Sequence, residues 1–186
     1  MIWTHGYIKG YTQRWREYRS EKELYMQILK AERRDLPAIL ALQRITYQSE
    51  AALLGTDDIP PLKQTLEEIA DEFDNGLILK GVREGTIVGS VRASSDGQTC
   101  YIGMLIVSPE CQGRGYGTQL LAKIEEVWPH PRYELFTRDR SSDNMCLYER
   151  AGYTLFREQQ IRSGMRFLYL EKHAATAEGR AGEQHR

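Results

Sequence analysis

The sequence predicts a mixed α/β domain of the α+β kind, in which one strand–helix–strand crossover is set among antiparallel hairpins. Three observations lead there. Tyr101 to Val127 reads YIGMLIVSPECQGRGYGTQLLAKIEEV: a strand rich in Ile, Leu and Val, a glycine-rich turn, then an amphipathic helix. Strand-like runs on either side of it are joined by tight turns at Arg83-Glu84-Gly85 and Arg162-Ser163-Gly164. Before those hairpins, apolar residues recur at helical spacing. No alternating series of strands and helices surrounds the glycine-rich turn, which argues against a doubly wound sheet.

Taken in order, Leu24 to Lys30 alternates as a first strand. Asp35 stands where a helix cap belongs, and Pro37 falls in the first turn, where its missing N–H is harmless. Ile39, Leu40, Leu42, Ile45 and Ala51 carry that helix to Ala52. Gly55-Thr56-Asp57-Asp58 and Ile59-Pro60-Pro61 make a turn-rich loop. A second helix runs from Thr65, or from nearer Leu62, to Phe73, and Asn75-Gly76 stops it. Leu77–Val82 and Thr86–Ala93 form a hairpin, and Asp96-Gly97 turns the chain into the strand Tyr101–Val107, bounded by Ser108-Pro109. The helix from Tyr116 to Trp128 puts Leu120, Leu121, Ile124 and Trp128 on one side and Gln119, Lys123 and Glu126 on the other. Pro129 and Pro131 break the chain before a short strand, Tyr133–Thr137. Asn144–Ala151 is a short helix with Gly152 as its cap, and Tyr153–Phe156 and Met165–Leu170 are a closing antiparallel pair. There is no internal repeat.

A chain of 186 residues affords one domain with a sizeable core. With 41% hydrophobic and 27% charged residues it reads as soluble and globular. A formal net charge of −1 gives no electrostatic case for nucleic acid. The cysteines, Cys100, Cys111 and Cys146, are odd in number and lack the spacing of a disulfide scaffold or zinc site, so a reducing cytosol fits. Cys111, beside the glycine-rich turn, is either a reactive thiol or a small residue in a turn. His5, His130, His173 and His185 are scattered, so neither a metal cluster nor a His-based triad is supported. The first residues, MIWTHGYIKG, lack the long apolar run of a signal peptide, and no apolar run approaches the roughly 18 residues that span a membrane. A cytoplasmic location and no membrane partner are expected. Residues 1–25 differ from the rest: Trp3, Tyr7, Tyr11, Trp15 and Tyr18 stand among charges, and Thr12 to Leu24 suits a short surface helix. They are either an arm packed on the domain or a partner, or a stretch ahead of a translation start at Met26. The domain then spans residues 26–172, and the polar tail 173–186 is expected to be disordered.

A glycine-rich turn before a helix points backbone N–H groups outward beside a positive helix end, ready for phosphate or pyrophosphate. Alone it is a weak signal; the order strand, turn, helix strengthens it. Gly113-x-Gly115 is not a dinucleotide fingerprint, because Thr118 stands where the third glycine or alanine should be. The run Gln112-x-x-Gly115-x-Gly117, preceded by Val107-Ser108-Pro109, resembles the coenzyme A pyrophosphate motif of the GNAT family of N-acetyltransferases. Asn144-Met145-Cys146-Leu147-Tyr148-Glu149-Arg150-Ala151-Gly152-Tyr153 resembles the family's second signature, an asparagine, a tyrosine and a glycine-aromatic pair on the helix after the fifth strand. The resemblance covers Met26 to Lys172.

That resemblance implies a twisted, mostly antiparallel sheet of about seven strands flanked by about four helices, whose fourth and fifth strands splay apart to admit the pantetheine arm. It implies direct transfer of acetyl from acetyl-CoA to a primary amine in a ternary complex, with no metal. The alternative is a catalytically weak acetyl-CoA sensor or interaction module on the same fold. Backbone groups of Leu105, Ile106 and Val107 would then pair with pantetheine and polarise the thioester carbonyl. Gln112, Gly113, Arg114, Gly115, Tyr116 and Gly117 would hold the pyrophosphate, Arg114 being equally readable as an exposed arginine. Asn144 would bond the pantetheine arm. Tyr148 would give a proton to the departing thiolate, or else close the core as an amphipathic side chain. Family members often place a glutamate base on the fourth strand, but Tyr101–Val107 holds no acid and has Met104 at its middle. Glu50, at the end of the first helix, is the best carboxylate candidate beside ordered water, its alternative being a solvated helix-end charge. Tyr47, Gln48, Ser49 and Ile59-Pro60-Pro61-Leu62 fall where acceptor specificity is set in the family. Arg92 either faces that cleft or is a surface strand residue. The partner expected is a small-molecule or peptide amine, and a homodimer is a possible assembly.

Overall fold

The computed structural model describes residues 25–139, 141–162 and 165–174. Most of the N-terminal stretch (1–24), the Ser163-Gly164 turn and the tail from 175 on lie outside the described residues. Gln27–Lys30 forms strand β1, and a turn of 3-10 helix at Arg33–Asp35 leads into the long helix α1, Leu36–Leu54. Pro37 sits in its first turn, and Gly55 ends it with a left-handed φ of 66°. Asp35 does not cap with its side chain. Its carboxylate turns back to accept from the Glu32 N–H at 2.7 Å and the Lys80 ammonium at 2.6 Å. Burial pushes the Asp35 carboxyl up, but those bonds outweigh it and hold the group below its ordinary value. A charged donor reaching from the sheet thus wins over an exposed helix-end N–H.

The proline-rich stretch read as loop contains a one-turn helix, α2, at Pro60–Lys63. Helix α3, Leu66–Asn75, starts on a reciprocal cap: Glu68 N–H donates to Thr65 Oγ1 at 3.2 Å, and Thr65 N–H donates to Glu68 Oε2 at 2.7 Å. Strands β2 (Leu77–Arg83) and β3 (Thr86–Ser95) are joined by Glu84 and Gly85 at φ 52° and 76°, the paired left-handed residues of a type I′ turn. Then come β4 (Thr99–Val107), helix α4 (Tyr116–Val127), β5 (Arg132–Arg138), helix α5 (Ser142–Arg150), β6 (Thr154–Arg162) and β7 (Met165–His173). The closing hairpin is longer than Tyr153–Phe156 and Met165–Leu170 suggested. From Thr154 to Ile161 every β6 residue is exposed, so no alternation marks the strand.

The strands make one sheet in the order β1-β2-β3-β4-β5-β7-β6. Every neighbouring pair is antiparallel except β4 and β5. Side chains alternate across it. Ile78 and its partner Arg92 face α1 and α3; Leu79 and its partner Val91 face α4. On the first face Leu36, Ile39 and Leu40 pack with Ile69 and Ile78. On the second, Leu120, Leu121 and Ile124 pack with Val91, Cys100, Leu135 and Leu170.

Arg92 is neither a cleft-facing residue free to bind an acceptor nor a surface one. It is 4% exposed. Its Nη1 donates to Gln64 Oε1 and to Glu72 Oε2, both at 2.8 Å, and its Nη2 donates to the Gln43 carbonyl. The guanidinium therefore ties α1 and α3 to the middle of β3.

Candidate active site

The parallel pairing of β4 and β5 is short. It runs Thr99↔Arg132, Cys100↔Tyr133 and Tyr101↔Glu134 and stops there. Beyond it β4 stays paired with β3 as far as Val107, and β5 with β7 as far as Arg138. The two strands therefore part company, and a gap opens in the sheet. A bulge helps: Ser90 faces Ile106 and Arg92 faces Gly103, so β4 spends one residue more than β3, and Met104 takes a φ of 48°. Leu105, Ile106 and Val107 follow the bulge. Ile106 is buried, and Leu105 and Val107 pack against the α4 core, so backbone is what this stretch can offer the gap.

At the end of β4 the chain enters the glycine-rich turn. Ser108 N–H bonds Val88 O at 2.8 Å, and a 3-10 turn at Pro109–Cys111 follows. Gly113 and Gly115 hold φ of 72° and 77°, and no atom lies within 4 Å of where a Cβ would stand at either. Gly115 is the first cap of α4 and supplies no side-chain bond. Among the described residues, the N–H groups of Gly115 through Thr118 have no protein acceptor. A row of free donors thus sits on the positive end of a 12-residue helix, beside open space.

The turn's other members divide. The Gln112 side-chain amide donates to Val107 O at 3.2 Å and so ties the turn to β4, while Arg114 is exposed. Tyr116 puts its ring in the core, leaving only its N–H to the turn. A Cβ on Gly117 would stand 3.0 Å from Leu147 Cδ1, so the absent side chain lets α5 approach α4. Cys111 is buried in the core, as the small-residue reading requires.

On α5, Asn144 is exposed and Tyr148, one turn later on the same face, is buried. The Tyr148 ring stands edge-on to Tyr153, with centroids 6.3 Å apart. Tyr148 is 8% exposed, and among the described residues its hydroxyl has no hydrogen-bond partner. Burial raises its pKa well above the ordinary phenol value, and the neighbouring Tyr47 adds to the rise. Tyr47 belongs to α1, on the other face of the sheet. Burial and the Glu50 charge push the Tyr47 phenol up to about 12, against the opposing charges of Arg92 and Arg138. Glu50 lies one turn beyond Tyr47, and its Oε1 is 3.0 Å from Arg138 Nε at the end of β5. The structure thus sets Glu50 against Arg138, with Tyr47 one turn back on the same helix and Tyr148 buried in the core on the other face.

Two residues of this region escaped the sequence reading. Arg138 carries no motif; its one signal was a charge at the end of the strand bordering the expected gap. Gly103 interrupts an otherwise apolar strand, which often marks a close approach or a hollow. No atom lies within 4 Å of where its Cβ would be, and its pairing with Arg92 sets that open space on the α1 face.

Comparison with protein-family models matches residues 36–153 to the acetyltransferase (GNAT) family, which is more than half of the chain. The chain belongs to the GNAT acetyltransferase family. Comparison with curated protein sequences gives no match. Among solved structures, the PaiA N-acetyltransferase of Thermoplasma acidophilum, in complex with coenzyme A, is similar at a TM-score of 0.69. It is 17% identical, with 80% of this chain and 99% of that chain covered. A ribosomal-protein-alanine N-acetyltransferase from Brucella melitensis reaches a TM-score of 0.63 at 20% identity, over 80% and 99% of the two chains. A GNAT-family acetyltransferase from Streptococcus pneumoniae gives 0.62 at 20% identity over the same shares. At such identities the likeness is one of fold, and the GNAT sheet with its parting β4 and β5 is the fold described above. Among the described residues no helix is long and apolar enough to cross a membrane.

Proposed function

We propose that this GNAT chain transfers an acetyl group from acetyl-CoA to the primary amine of a small molecule or peptide, by direct attack within a ternary complex. The observation that carries the reading is the gap between β4 and β5. It is flanked at one end by the N–H groups of Gly115–Thr118, which have no protein acceptor among the described residues, with the buried Tyr148 on the helix that follows β5. These residues fit the co-substrate: a row of donors beside open space suits a pyrophosphate, and a splayed sheet edge suits an amide-bearing arm. When bound, acetyl-CoA supplies an activated acyl carbon with a thiolate as leaving group.

The chain's own residues do the rest. N–H groups of the turn hold the pyrophosphate, with Arg114 as an added charge, and Asn144 bonds the arm near Tyr148. Backbone of Leu105–Val107 lines the gap where negative charge grows on the carbonyl oxygen. Overall the C–N bond forms, the C–S bond breaks, and an ammonium acceptor sheds two protons. One is matched by the proton Tyr148 presents to sulfur, and the other leaves by Glu50 or water.

Titration of the protein with acetyl-CoA followed by calorimetry is the direct test, and absence of binding at high micromolar concentration would sink the reading. Binding without release of the free thiol against a broad amine panel would turn the protein into a sensor rather than an enzyme. Gly115→Val is expected to weaken acetyl-CoA binding by about 10-fold in the same calorimeter, because a β-branched residue resists a φ of 77° and the turn must relax. An unchanged dissociation constant would remove the turn from the site.

A further inference from the structure

We infer that the amine acceptor also carries a carboxylate one or two carbons from its nitrogen, as in an α- or β-amino acid, and that Arg138 and Glu50 bind the two ends together. The inference rests on the N-acetyl-transfer reading above and names its substrate class.

Arg138 closes β5 on the α1 face, four residues past the last pairing with β4 at Glu134. At roughly 3.3 Å per residue, that puts it about 13 Å along the parting strand, beside the gap rather than behind it. Its contact with Glu50 runs through Nε at 3.0 Å. Among the described residues the guanidinium makes no other ion pair, so both Nη groups are left as a planar fork for a carboxylate. Among the described residues Glu50 likewise makes no other ion pair than this one through Oε1, which leaves its second oxygen for an ammonium. An acceptor whose charges are one or two carbons apart meets a cation and an anion already side by side.

The surroundings fit a small, polar occupant. Gly103 leaves backbone alone as floor on the α1 face, with open space where a Cβ would be. Arg92, its partner on β3, is 4% exposed and has a buried Nε with no hydrogen-bond partner. Arg138 and Glu50 are in contact at 3.0 Å, and Arg92 and Gly103 pair on the same face of the sheet. The Arg92 charge is already answered by Glu72 at 2.8 Å. Arg138 and Glu50 answer each other, so an acceptor with both charges leaves neither group unmatched. A simple amine would draw Glu50 from Arg138 and offer nothing in return. A site built around such charged bonds rejects an analogue that lacks one of them.

The test is acetyl transfer to alanine, methionine, phenylalanine and glutamate, each as the free acid and as its α-carboxamide. The expected result is a kcat/KM at least about 100-fold higher for the preferred free acid than for its amide, carried mainly by KM. Arg138→Gln should collapse that ratio towards unity, and Arg138→Lys should restore part of it. If Arg138 were only a strut between α1 and β5, acid and amide would lose rate alike, and the inference falls. Equal use of acids and amides by the unaltered protein overturns it too, while N-acetyl transfer stands. If neither form is acetylated, calorimetry with the N-acetylated acid and amide on CoA-saturated protein decides. Binding that needs the carboxylate and Arg138 upholds the inference; equal binding, or none, overturns it.

Discussion

Tyr148→Phe is expected to lower kcat by about 100- to 1000-fold while the dissociation constant for acetyl-CoA stays within about 2-fold. The substitution keeps the ring that packs edge-on against Tyr153 in the core, so the fold should lose little. What goes is a hydroxyl with no protein partner among the described residues, in a site where burial makes a donor worth more than it would be in water. Burial, seconded by Tyr47, holds the phenol above its ordinary value of about 10, so its proton is present across the whole working range. The sign follows. A group that must be protonated, and whose pKa is raised, gives no alkaline fall in kcat until beyond that ordinary value. A kcat–pH profile with a downward limb near neutrality, lost in Tyr148→Phe, would contradict the assignment. A pre-steady-state measurement of thiol release separates the proton-donor role from slow product departure. If Tyr148→Phe turned over normally while Glu50→Gln did not, the proton traffic would run through α1 instead.

The stretch Tyr101–Val127 was legible because each of its parts obeys a local rule. Its strand is a run of mostly branched apolar residues, Gly113 and Gly115 in its turn take left-handed φ, and its helix presents Leu120, Leu121 and Ile124 on one face. The hairpin turn at Arg83-Glu84-Gly85 and the helix ending at Gly152 were readable on the same terms. What escaped depends on competition between distant groups. Asp35 looked like a cap, but Lys80, 45 residues away, took its carboxylate. Strand β6 hid its length because solvent reaches both its faces. The bulge at Met104 asks a non-glycine residue to adopt positive φ, and no sequence rule predicts that. Arg138 meets Glu50 only once β5 has diverged from β4, so neither residue's surroundings could be read from its neighbours in the chain.

Arg92→Leu is expected to cost about 2–4 kcal/mol of folding stability, a drop in Tm of roughly 5–15 °C. Breaking a fully buried ion pair costs more, but Glu72 is 44% exposed and recovers solvation when its partner is lost. Gln43 does not recover. It is fully buried on α1, and its amide nitrogen stays bonded to Pro61 O at 2.8 Å and Gln64 Oε1 at 2.9 Å. Its carbonyl would be left with no donor in the dry space between helix and sheet. Arg92→Lys should recover only part of the loss, because one ammonium cannot hold Gln43, Gln64 and Glu72 in a plane. The same change separates the two halves of the site. The glycine-rich turn and Tyr148 are held by the core around α4, which Arg92 does not touch, so acetyl-CoA binding should survive. Tyr47 and Glu50 ride on α1, which Arg92 anchors, so KM for the amine should rise more than 10-fold at temperatures where the variant is folded. Urea melts followed by circular dichroism measure the first effect, and steady-state kinetics below the variant's transition measure the second. A variant as stable as the parent would mean that α1 and α3 are held on the sheet by the apolar contacts of Ile39, Ile69 and Ile78 alone. In that case the acceptor side of the gap owes its shape to packing rather than to the buried guanidinium.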